Sequence, residues 1–128
     1  FGIMGIMQDS GLVVQMADFF VSISTTKTLP LLTYLSAALV NIFVPSGGGQ
    51  WALQGPVILE AAIKLNVPVA KVVMAMAYGD QLTNMLQPFW ALPLLGITKL
   101  KARELLPYTL WIMLIGAVVF FGALLFLY

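Results

Sequence analysis

Two short stretches of this sequence carry residue types able to do chemistry. The first is Ser46, Gly47, Gly48, Gly49 and Gln50, with Trp51 directly after; the second is Asp80 with Gln81, Thr83 and Asn84. Glycines let a guest approach the backbone closely, and successive peptide N–H groups ahead of a helix form an anion-binding nest, strengthened by the helix's positive end. Ser46 and Gln50 offer hydrogen bonds and Trp51 an apolar wall, so the group fits a small carboxylate with a hydrocarbon tail. Asp80 with the oxygens of Gln81, Thr83 and Asn84 suits a hard cation such as sodium, and Asp80 alone suits a proton.

The surroundings of these stretches are not those of a soluble protein. The chain has 128 residues, 61% hydrophobic and 9% charged, and a mean hydropathy of +1.00. Soluble domains carry about a quarter charged residues, so the composition is that of an integral membrane protein whose first partner is the lipid bilayer. With no cysteine and no histidine, there is no disulfide scaffold, thiol nucleophile, His-based metal site or His general base. No constellation for acyl, phosphoryl or proton-abstraction chemistry is found, so no enzyme and no cofactor is expected. A net charge of +1 gives no field for nucleic acid. The seven methionines and the aromatic residues read as packing and lipid-facing groups. The chain opens on Phe1, already apolar and without the flanks of a signal peptide, which reads as part of a longer protein whose amino-terminal repeat is missing.

The pattern of the surrounding segments predicts an all-α, polytopic membrane protein. Residues 1–26 form an apolar segment interrupted at Gln8, Asp9, Ser10 and Gly11. Each half is too short to cross a hydrocarbon layer of about 30 Å, which predicts a re-entrant helical hairpin. Residues 27–66 begin with Thr28 as N-cap and Pro30 in the first turn, and predict a discontinuous helix broken at 45–50. After that break Pro56 is expected to open the regular helix, Glu60 and Lys64 to pair at i, i+4, and Asn66 to close it. Residues 67–98 predict a second discontinuous helix, broken at 79–84. A basic loop at 99–105 holds Lys99, Lys101 and Arg103, placed in the cytoplasm by the positive-inside tendency. Residues 106–128 form a continuous, uncharged transmembrane helix with Tyr108, Trp111 and Tyr128 as interfacial anchors.

In hydrocarbon an unpaired peptide group costs several kcal/mol, so irregular backbone at membrane depth persists only inside protein or against a wet cavity. Two breaks on consecutive paths predict one shared cavity, the pattern of transporters with discontinuous helices. The competing reading makes the glycines a device for tight helix crossing and Asp80 a helix cap. Thr33, Ala37 and Asn41, at helical spacing, form a small, mildly polar stripe suited to close helix contact. Asp18, Glu60, Lys64 and Lys71 read as interfacial groups with snorkelling stems.

The stretch IFVPSGGGQWALQGP followed by AYGDQLTNMLQPFWALPLLGI resembles the carboxyl-terminal part of the short-chain fatty acid transporter family, and the opening FGIMGIMQDSGLVVQMADFFVSIST resembles that family's preceding segment. More distantly, a hairpin followed by two broken helices is similar to one repeat of the ion transporter superfamily. The resemblance implies secondary active transport of short-chain monocarboxylates such as butyrate or acetoacetate across the bacterial cytoplasmic (inner) membrane by symport, with Na+ or H+ as coupling ion. It implies that Ser46, Gly47, Gly48, Gly49 and Gln50 contribute to the substrate site, with Asp80, Gln81, Thr83 and Asn84 close to it. A homo-oligomer fits the same picture. Two alternatives stand beside it: a dicarboxylate or citrate transporter, and a non-transporting structural subunit of a membrane assembly.

Overall fold

The computed structural model describes residues 6, 9–87 and 91–126, and among these the only regular elements are helices. The helices with described bounds are, in order, α1 (Leu12–Ile23), α2 (Leu29–Phe43), α3 (Gly47–Lys64), α4 (Val69–Asn84), α5 (Leu92–Thr98) and α6 (Ala102–Phe126). α2 and α4 make the most extensive contact; α1 lies on α3, α3 touches both α2 and α4, and α6 packs along α4.

Local chemistry explains the starts and stops. Ser10 and Gly11 form a turn before α1, with Gly11 at φ 72°, a left-handed conformation that glycine adopts without a Cβ penalty. The turn falls where the hairpin tip was expected, but most of the preceding arm lies outside the described residues. Thr28 precedes α2 and Pro30 sits in its first turn, yet Thr28 makes no side-chain cap bond. Its hydroxyl instead accepts from the Thr25 backbone N–H at 2.7 Å, closing the loop between α1 and α2. Pro45 disfavours the α conformation in the residue before it, and Val44 accordingly leaves the helix at φ −123° and ψ 76°.

The first break is shorter than expected and differently placed. Only residues 44–46 are non-helical; Gly47, Gly48 and Gly49 form the first turn of α3, and Gln50 lies in the same helix. The reason is a side-chain cap at Ser46, whose Oγ accepts from Gly49 N at 3.3 Å, while Gln50 N bonds to Ser46 O at 2.7 Å. Helix therefore begins nine residues before Pro56, which is carried inside it. At the other end Asn66 adopts φ 53°, and Val67 N bonds back to Ala62 O at 2.9 Å, closing α3 as a Schellman-type turn.

The second break also moves. α4 is one helix through Tyr78, Gly79 and Asp80 to Asn84, so residues 79–84 are not the interruption; α4 ends at Asn84 and α5 begins at Leu92. Gly79 marks a helix crossing instead. A Cβ there would stand 2.3 Å from Tyr34 O and 2.8 Å from Ala37 Cβ. Ala75, Gly79 and Thr83, four residues apart and buried, face the buried Thr33, Ala37 and Asn41 of α2. Small residues on both faces let the backbones approach, and this packing outweighs glycine's poor helix propensity.

α6 is the one helix among the described residues long and apolar enough to cross a membrane. Its 25 residues extend roughly 37 Å at 1.5 Å per residue, and Trp111, Ile115 and Val118 are more than 60% exposed, as suits a lipid-facing helix. α6 runs antiparallel to α4: Leu124 and Lys71 border one cavity, whereas Asn84 and Ala102 border another. Tyr78 stacks on Phe120 with ring centroids 4.8 Å apart, and a Cβ at Gly116 would lie 3.3 Å from Met85 Cε. Asp80, between Tyr78 and Met85, thus lies alongside the middle of the span rather than at its ends.

Candidate functional site

The end of the first break and the middle of α4 meet at one cavity. It has a volume of about 190 Å³ and is lined by Gly47, Trp51, Val73, Met76, Ala77 and Asp80. A Cβ built on Gly47 would lie 3.8 Å from Asp80 Oδ2, so the carboxylate faces the amino terminus of α3. The first N–H groups of a helix lack intrahelical acceptors and carry partial positive charge. Ser46 takes the one from Gly49, which leaves those of Gly47 and Gly48 for another acceptor. Trp51, one turn further along α3, stands against Gly55, where a Cβ would lie 3.0 Å from the indole; Gly55 thereby gives the ring its place at the cavity wall. No lysine or arginine borders this cavity.

A hydrogen-bonded network stands behind Asp80. Asn41 of α2 is fully buried, and its Nδ2 shares its two protons among Asp80 O at 2.9 Å, Thr83 Oγ1 at 3.0 Å and Asn84 Oδ1 at 3.1 Å. Thr83 Oγ1 donates onward to Ala38 O at 2.9 Å, and Asn84 Nδ2 donates to Asp80 Oδ2 at 3.1 Å. Gln87 Nε2 donates to Asn41 O at 2.8 Å. Buried polar groups need such partners, and here they tie α2 to α4. Asp80 Oδ1, also buried, accepts no hydrogen bond from any described residue.

The expected site residues therefore divide. Gly47, Trp51 and Asp80 share the cavity. Ser46 caps α3, and Gly48 faces open space with nothing within 4 Å of its Cβ position. Gln50 is fully buried and ties α3 to α2, its Nε2 donating to Ala37 O and to Gln54 Oε1, each at 2.8 Å. Thr83 and Asn84 belong to the network behind Asp80, while Gln81 is exposed on another face of α4. No group of three or more His, Cys, Asp or Glu residues able to hold a metal occurs among the described residues.

Asn41, Gln54 and Gln87 are the polar residues that the reading of the sequence passed over as functional. The sequence holds a signal for two of them, Gln87 and Asn41. Asp80, Asn84 and Gln87 recur at i, i+4 and i+7, one face of a helix, and Asn41 is the single amide in an otherwise apolar helix, where it must find a partner.

An apolar helix long enough to cross a bilayer, with a carboxylate packed beside it and opposite a helix amino terminus, fits an integral membrane protein. The chain belongs to the short-chain fatty acid transporter family, whose sequence profile matches residues 1–127. It is 44% identical over 119 residues to a candidate short-chain fatty acid transporter of Escherichia coli (strain K12), covering 93% of this chain and 27% of that protein. It is 42% identical over 126 residues to one of Haemophilus influenzae (strain ATCC 51907 / DSM 11121 / KW20 / Rd), covering 98% of this chain and 28% of that protein. The chain thus spans just over a quarter of the length of these relatives. No solved structure gives a significant match.

Proposed function

We propose that the chain supplies one side of the substrate site in a secondary transporter that carries short-chain fatty acids, monocarboxylates such as butyrate or acetoacetate, across the cytoplasmic membrane with a coupling cation. The observation that carries this reading is the placement of Gly47, at the amino terminus of α3, 3.8 Å by its Cβ position from Asp80 Oδ2 at one cavity. Family membership and the relatives' names support the substrate class.

In this reading the substrate carboxylate accepts from the peptide N–H groups of Gly47 and Gly48, and its short hydrocarbon tail lies against Trp51, Val73 and Met76. Asp80 would then stand beside a second anion. Two carboxylates about 4 Å apart repel by roughly 4 kcal/mol at an effective dielectric of 20, so the loaded site requires a positive charge to enter with the substrate. That requirement is the coupling. A dicarboxylate fits less well, because the cavity lining has no lysine or arginine to meet a second carboxylate.

The test is uptake of labelled butyrate by the full-length transporter at matched membrane levels. Asp80→Ala and Gly47→Val are each expected to lower uptake at least tenfold, and excess unlabelled acetate should compete where succinate does not. Unaltered uptake in both variants would remove these residues from the site.

A further inference from the structure

We propose that the basic loop before α6 and the groove beside it form a docking site for one anionic phospholipid, its phosphate against Lys99, Lys101 and Arg103 and one acyl chain between α5 and α6. Three cations stand within five residues there, and all three side chains are exposed. The loop ends where α6 begins, the helix long and apolar enough to cross a membrane. Cationic side chains at such a junction meet the phosphate layer of the bilayer, and anionic lipids are drawn to them. Tyr108 and Trp111, 70% and 67% exposed on the next turns of α6, are residue types that settle at the same level.

No internal group neutralises these cations. The ion pairs among the described residues join Lys64 to Asp18 at 2.7 Å and to Glu60 at 3.4 Å, and no basic residue of the loop takes part in one. Glu104 is the acidic residue nearest the loop in sequence. Its Oε2 accepts from the backbone N–H of Lys101 at 3.0 Å, so it caps the start of α6 and is not held by a cationic side chain. Even set against all three cations, Glu104 leaves the segment net positive. The arginine adds a planar fork that matches two phosphate oxygens at once.

Beside the loop the surface is apolar and concave. α5 and α6 leave between them a groove of about 330 Å³, bordered by Leu94 of α5, by Ala102, Leu105, Leu106 and Thr109 of α6, and by Met85 after α4. Asn84 and Gln87 edge it from the α4 side, with their amide nitrogens bonded to Asp80 and Asn41. Ala102 belongs to both features, for it lines the groove and stands between Lys101 and Arg103 in the chain. From Ala102 to Thr109 the lining continues along α6 for roughly 10 Å at 1.5 Å per residue, away from the charges, as an acyl chain runs from its headgroup. A soluble phosphate would use the cations and leave the groove empty. A neutral lipid would use the groove and leave the cations unmatched. An anionic phospholipid uses both.

The test is native mass spectrometry of the full-length protein released from micelles that hold equal amounts of phosphatidylglycerol and phosphatidylcholine. Wild type is expected to retain phosphatidylglycerol at least fivefold over phosphatidylcholine. Lys99→Gln, Lys101→Gln and Arg103→Gln together are expected to lower that preference at least threefold, whereas Lys99→Arg with Lys101→Arg, which keeps every charge, should preserve it. Thr109→Trp fills the groove without touching the charges and is expected to lower retention of phosphatidylglycerol at least threefold. A preference that survives the triple substitution, or that is lost equally in the charge-conserving variant, would overturn the proposal. Unchanged retention in Thr109→Trp would overturn the placement of the acyl chain. Displacement of phosphatidylglycerol by excess soluble glycerol 3-phosphate would overturn the lipid assignment in favour of a free phosphate. Equal retention of both lipids, with a dimer that the triple substitution dissociates, would overturn it in favour of a second copy of the chain.

Discussion

α4 and α6 lie side by side and meet the bilayer in opposite ways. α6 satisfies its backbone internally and presents apolar side chains outward, so its sequence has only to be long and greasy. α4 carries Asp80, and after it Thr83 and Asn84, on the stretch that packs along that helix. It survives there because Asn41 and the carbonyl of Ala38 on α2 supply partners, and because Gly79 lets the two backbones close. An aspartate at mid-membrane costs on the order of 2.5 to 3.5 kcal/mol on insertion scales. α6 contains no such residue in its central turns, and α4 keeps one directed at a cavity. The contrast supports placing the proposed site on the helix whose sequence is harder to bury.

The contrast breaks most severely at glycine. Gly79→Ala places a methyl group 2.3 Å from Tyr34 O and is expected to cost about 3 kcal/mol or more by overpacking. Gly122→Ala on α6 meets nothing within 4 Å and is expected to stay within about 0.5 kcal/mol of wild type. Thermal or denaturant unfolding in detergent micelles reads both.

Asn41→Ala should come next, at about 2 to 3 kcal/mol, since it leaves Thr83 and Asn84 without a buried donor. Its effect is expected to be non-additive with that of Asn84→Ala, because both variants break the same network. Additive effects in a double-mutant cycle would mean that the network does not act as a unit.

Gln50→Ala removes two bonds from α3 and is expected to cost about 1 to 2 kcal/mol, read by the same unfolding measurement. The smallest effect belongs to the ion pair of Lys64 with Asp18 at 2.7 Å. Both side chains are solvent-accessible, and exposed pairs contribute little. Lys64→Met is expected to leave the midpoint unchanged within error, and any small shift should vanish in high salt.

What the sequence made legible follows the same division. α6 announced itself by an uncharged run, because lipid demands only length and hydropathy there. The stop of α2 was legible in Pro45, and the closure of α3 in Asn66. Gly79 and Asp80 misled because both residue types disfavour an isolated helix, whereas packing against Tyr34, Ala37 and Asn41 decides their conformation. The three glycines misled for a similar reason: the Ser46 cap begins the helix at once. Asp80 and Gly47 were both named from their types, but their shared cavity depends on the crossing of α3 with α4, which no local pattern encodes. Gln50 and Gln81 illustrate the limit of residue type. Both are amides beside a polar stretch, yet one is fully buried and tied to Ala37 and the other faces outward.

The central claim is that a substrate carboxylate occupies the space between the amino terminus of α3 and Asp80. The most direct measurement is the rate at which a water-soluble maleimide alkylates Gly47→Cys, introduced into the full-length transporter on a background free of other reactive thiols, with and without saturating butyrate. Butyrate is expected to slow alkylation several-fold at Gly47→Cys and leave Lys99→Cys, exposed in the loop before α6, unaffected. Equal rates at Gly47→Cys with and without butyrate, in a protein that still transports it, would contradict the account.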